Sequence, residues 1–88
     1  MHNSEADARR VRTAHAELAA RFQSVGGLRW PLTSRGHEAL YSLIRRTLAD
    51  AENYLDDGQV AAARQCVAVG NSTLTALSAL HDLETMEF

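Results

Sequence analysis

Apolar residues recur at helical steps across residues 40–83 of the chain. Leu40, Ile44, Leu48, Ala51 and Leu55 are spaced by three and four, the steps that line one face of an α-helix. Val60, Ala63, Val67, Gly70, Leu74 and Leu77 alternate the same steps in a heptad seam. Between the two runs, Asp56-Asp57-Gly58 is a turn signal, so the pattern predicts two long helices folded into an antiparallel hairpin. The earlier of the two is expected over about 34–57, capped by Thr33 or Ser34, and the later over about 59–83.

A further helix is predicted over about 4–25, where Val11, Ala14, Leu18, Phe22 and Val25 form a single stripe. Ser4 suits its N-cap, Glu5 and Asp7 favour the positive helix start, and Gly26-Gly27 favours a stop. The connector, 26–33, contains Pro31, which removes a backbone donor and keeps Trp30 extended. Trp30, between Leu28 and Leu32, is expected to plug one end of the bundle or to anchor a partner.

The last helix differs from the others. At 100° per residue its large apolar side chains cover nearly half the circumference, from Leu80, Val69 and Cys66 round to Leu74, Val67 and Val60. Such a helix needs neighbours on two sides. Gly70-Asn71 is a potential break, yet Val60, Val67 and Leu74 stay seven apart through it. The phase predicts a continuous helix in which Gly70 admits a neighbour closely.

The fold class expected is therefore all-α: one domain, 1–88, of three helices built on a hairpin, assembled as a helical-bundle homodimer. Chain length supports the second copy. A domain of 88 residues hides only about 60–65% of its unfolded surface and is marginal without a supplement. Cys66 is the single cysteine, so an intrachain disulfide cannot provide it.

Composition adds little: 45% apolar and 23% charged residues are ordinary for a globular domain. All nine basic residues are arginine and alanine is abundant, as GC-rich codon usage in a bacterium or phage would give. The net charge of −2 conceals a split, because residues 1–46 hold eight arginines and four acids while residues 47–88 hold one arginine and seven acids. Such asymmetry orients partners, or solvates each helix surface separately. Neither a secretion signal nor an apolar run of about eighteen residues is present, so the expected place is the cytoplasm, without a membrane span.

Candidate chemistry is sparse. His15-Ala16-Glu17-Leu18-Ala19 resembles the active segment of histidine phosphotransfer domains at its histidine alone. It lacks the lysine and glycine of that pattern and its leucine is displaced, so His15 is expected to be a hydrogen-bonded structural residue. Ser78, His81 and Asp82 have the residue types of a triad, but neighbours on one helix point in different directions. Cys66, His81 and the acids lack metal-ligand spacing, so no metal, cofactor or enzymatic activity is expected.

Leu32-Thr33-Ser34-Arg35-Gly36-His37-Glu38-Ala39-Leu40 resembles the segment leading from the wing into the dimerisation helix of winged-helix repressors. That resemblance implies a dimeric DNA-binding regulator as the alternative function. Only one helix precedes the segment here, where those repressors have a complete helix-turn-helix, and Arg9, Arg10, Arg12 and Arg21 scatter around that helix. The function favoured by the sequence is a small protein–protein interaction module, a regulator, adaptor, anti-activator or chaperone-like subunit. It would bind itself and another protein through an apolar helix face, with Val69, Leu77 and Leu80 in contact and Trp30, Tyr41 and Tyr54 as aromatic anchors. Nucleic acid is not an expected partner.

Overall fold

A computed structural model describes residues 4–26 and 35–85. They form three α-helices packed together and no strand: α1 (Ser4–Gly26), α2 (Arg35–Asp56) and α3 (Val60–Thr85). Trp30, with the rest of the expected connector beyond Gly26, lies outside the described residues.

α2 and α3 share the largest contact in the fold, and α1 packs on both. The core follows the predicted stripes: Ile44, Ala51 and Leu55 from α2, Ala63, Val67, Leu74 and Leu77 from α3, and Val11, Leu18 and Phe22 from α1 are buried. Leu40, Leu48 and Val60 are partly buried against them. Each helix thus hides the face its apolar period marks, and this burial, more than intrinsic propensity, holds the helices in place.

The turn between α2 and α3 is a Schellman motif. Gly58 takes a left-handed φ of +77°, its N–H donates to Leu55 O at 3.1 Å, and Gln59 N–H donates to Tyr54 O at 2.8 Å. These bonds satisfy carbonyls that a helix C-terminus leaves open. The Gln59 carbonyl then accepts the Ala63 N–H at 3.1 Å, so Gln59 both closes α2 and opens α3. The sequence places both helix ends one residue too far into this turn: α2 stops at Asp56 and α3 begins at Val60. Asp57 is used up as the residue before the left-handed glycine.

α3 runs unbroken through Gly70-Asn71. A Cβ at Gly70 would stand 2.6 Å from Leu18 Cδ2 and 3.0 Å from Thr47 Oγ1, so this one position lets α1 and α2 both approach α3. Two threonines are buried in the core, Thr47 and Thr73. Thr47 Oγ1 donates to Ile44 O at 2.9 Å and Thr73 Oγ1 to Val69 O at 2.7 Å. Each hydroxyl finds its acceptor in the preceding turn, which removes the penalty of an unpaired buried polar group.

Candidate functional site

Contacts across the core fix which side of α2 and α3 is covered. On α3, Asn71 Oδ1 accepts a hydrogen bond from Arg21 Nη1 at 3.0 Å, and Arg64 Nη2 lies 3.9 Å from Asp7 Oδ1. On α2, the Leu48 carbonyl accepts from His15 Nε2 at 2.9 Å. Tyr41 packs on Phe22 with ring centroids 4.5 Å apart and planes tilted by 47°. α1 therefore occupies the shoulder made by Tyr41 and Leu48 with Arg64 and Asn71.

The opposite shoulder has no helix over it among the described residues. At 100° per residue, Leu43, Asp50 and Tyr54 line it on α2, and Ala62, Cys66, Val69, Thr73, Ala76 and Leu80 line it on α3. Asp50 acts electrostatically on the Cys66 thiol, which ties the two rows together. Leu43, Tyr54 and Val69 are 42%, 37% and 48% exposed, and Leu83, 58% exposed, extends the row at its outer edge. These four are the exposed large hydrophobics of the described residues.

The six expected contact residues divide accordingly. Val69, Tyr54 and the half-buried Leu80 fall on the open side of α2 and α3, with Tyr54 near the turn and Leu80 towards the other end of α3. Tyr41 is half-buried on the other side, where Phe22 engages it. Leu77 requires a correction: it is fully buried in this chain's own core, so it presents nothing to a partner. Its place in the heptad seam explains that burial. Trp30 lies outside the described residues. Leu43 is the addition; the sequence marks it only as a residue widening the apolar arc of its helix.

Other groupings are structural. His15 bridges α1 to α2 with its Nε2–H, half-buried within the α1 stripe. His81 Nδ1 lies 3.8 Å from Asp82 Oδ1, beyond the reach a triad base needs. Burial, and secondarily the Asp50 carboxylate, push the Cys66 thiol above its ordinary range, so it is a weak nucleophile. An open groove of about 480 Å³ between α1 and α3 is lined by Asp7, Arg10, Arg64 and Asn71. Asp7 sits between the two arginines there, 3.6 Å from Arg10 and 3.9 Å from Arg64. Its carboxylate already occupies the place an anion would take. Among the described residues no group of His, Cys, Asp and Glu is placed to hold a metal, and no helix is long and apolar enough to cross a membrane.

Compared with known proteins, the chain matches no family model, no curated protein and no solved structure.

Proposed function

We propose that this chain is a small protein–protein association module of the cytoplasm, a regulator, adaptor or chaperone-like subunit. In this reading α2 and α3 form an antiparallel hairpin, α1 braces one side of it, and the other side receives an apolar helix face from another polypeptide. The observation that carries the reading is the concentration of Leu43, Tyr54, Val69 and Leu83 on the side of α2 and α3 away from α1. Exposed large apolar side chains gathered on one side of a small fold are the kind of surface through which proteins associate. The mechanism is burial of that face, with the uneven charge of the two chain halves orienting the approach.

The arginines support the same choice over nucleic-acid binding. Arg10 and Arg64 face Asp7, and Arg21 is bonded to Asn71, so three of them engage the protein's own side chains. A catalytic role finds no support in the His15, Cys66 or His81 environments described above.

The test is affinity capture from the native host with the wild-type chain, Val69→Asp and Arg45→Ala, followed by binding measurements with the captured partner. Capture that survives Arg45→Ala and is lost with Val69→Asp supports the reading, because Val69 lies on the shoulder and Arg45 on the exposed outer face. Affinity should change modestly between about 50 and 200 mM salt, where a phosphate-binding surface would lose orders of magnitude. Sequence-selective DNA binding at 150 mM salt, lost on replacing Arg9, Arg10 and Arg12, would refute it.

A further inference from the structure

The α1–α3 groove holds its own counter-charge, and the Cys66 thiol, pushed upward by burial, is poised for no chemistry. The open shoulder carries more, because a single carboxylate stands among its apolar residues. Resting on the association reading, we propose that its occupant is a basic amphipathic helix of another protein, whose apolar stripe is interrupted by an arginine or lysine that pairs with Asp50.

Placement is the first argument. The α3 row that faces this side, Ala62 through Leu80, contains no charged residue. On α2, Asp50 follows Leu43 by seven residues and precedes Tyr54 by four, so all three project from one side of the helix. The carboxylate leans far enough towards α3 to act on the Cys66 thiol. It is exposed, and among the described residues it forms neither an ion pair nor a hydrogen bond. Arg46, one turn earlier, projects further round α2 and is not paired with it.

Charge complementarity is the second. A helix laid over Leu43, Tyr54 and Val69 takes Asp50 out of water as well. Desolvating a carboxylate without a counter-charge costs as much free energy as several apolar contacts return. A neutral or acidic helix is therefore disfavoured here, whereas a cation opposite Asp50 turns the penalty into a charge-assisted, directional contact. The surroundings act in the same sense. Asp50, Glu52, Asp56 and Asp57 gather towards the turn, and the one arginine of residues 47–88, Arg64, already lies against Asp7. The negative field at that end of the molecule draws in a basic partner before contact is made.

The protein captured by the wild-type chain serves as the probe, titrated against variants of the full chain. Asp50→Asn, which keeps the shape and removes the charge, should weaken binding by about tenfold or more, and Asp50→Arg should weaken it further. Glu52→Gln makes the same charge change on the opposite side of α2 and should alter binding by less than about fivefold. Circular dichroism should show all three variants folded, because Asp50 and Glu52 are exposed. One arginine or lysine of the captured protein, changed to glutamate, should lose the wild-type chain and regain binding with Asp50→Arg. Unchanged or tighter binding by Asp50→Asn, equal weakening by Glu52→Gln, or no rescue by charge exchange would overturn the inference, as would capture of a second copy of this chain alone. A complex lost with Val69→Asp and indifferent to Asp50→Asn would overturn the basic helix and leave the association reading standing. A complex indifferent to both would overturn the two together.

Discussion

Replacing Gly70 by alanine sets two known effects against each other at one atom. In an open helix the change stabilises by about 0.8–1.0 kcal/mol, because alanine loses less backbone entropy than glycine. At this site the new methyl would stand 2.6 Å from Leu18 Cδ2 and 3.0 Å from Thr47 Oγ1. Leu18 is 1% exposed and Thr47 is tethered to Ile44 O, so neither can swing aside freely. Inserting a methyl into such packing costs about 1–3 kcal/mol. The crowding offsets or exceeds the propensity gain, and Gly70→Ala should be destabilising by up to about 2 kcal/mol. Urea unfolding followed by circular dichroism at fixed protein concentration measures it. A double-mutant cycle isolates the cause. In a Leu18→Ala background, itself weakened by about 2–5 kcal/mol, the Gly70→Ala change should become neutral or stabilising, a coupling of about 1–3 kcal/mol. A Gly70→Ala protein more stable than wild type, or a coupling near zero, would refute the close approach of α1 to α3.

Two further outcomes follow from the turn and the thiol. Gly58 has a φ of +77°, and a methyl added there would meet nothing within 4 Å. Gly58→Ala should therefore lose only the strain of a left-handed alanine, about 1–2 kcal/mol, and Gly58→Asn should lose less, as read by urea midpoints. The raised thiol pKa of Cys66 predicts that iodoacetamide alkylation of the folded chain needs a higher pH than alkylation of the urea-unfolded chain. The same shift means that the stability contributed by the neutral thiol is complete below its unfolded pKa of about 8.5 and declines as pH rises through the folded value. Cys66→Ala should remove that alkaline decline.

Much of the fold is legible in the residues because it rests on periodicity. The seam through Ala63, Val67, Gly70, Leu74 and Leu77 is buried as its heptad spacing requires, and the same phase carries α3 through the Gly70-Asn71 turn signal. The site is less legible. The apolar arc of α3 spreads to both sides of its seam, and nothing in the spacing says which side α1 takes. That choice depends on pairings distant in sequence, such as Arg21 with Asn71 and His15 with Leu48. For the same reason Tyr41 reads as an anchor although Phe22 packs on it, and Leu77, at the edge of the seam, reads as a partner contact although it is fully buried.

The turn at Gly58 also bears on the order in which the chain assembles. Because Gln59 ends one helix and starts the next, contacts such as Thr47 with Gly70 close a loop of only about two dozen residues, whereas Arg21 with Asn71 closes one about twice as long. Loop-closure entropy favours the shorter route, so α2 and α3 should zip first and offer α1 a ready groove. Amide protons in α1 should then exchange through openings that leave α2 and α3 paired, making α1 the first helix to leave the native structure.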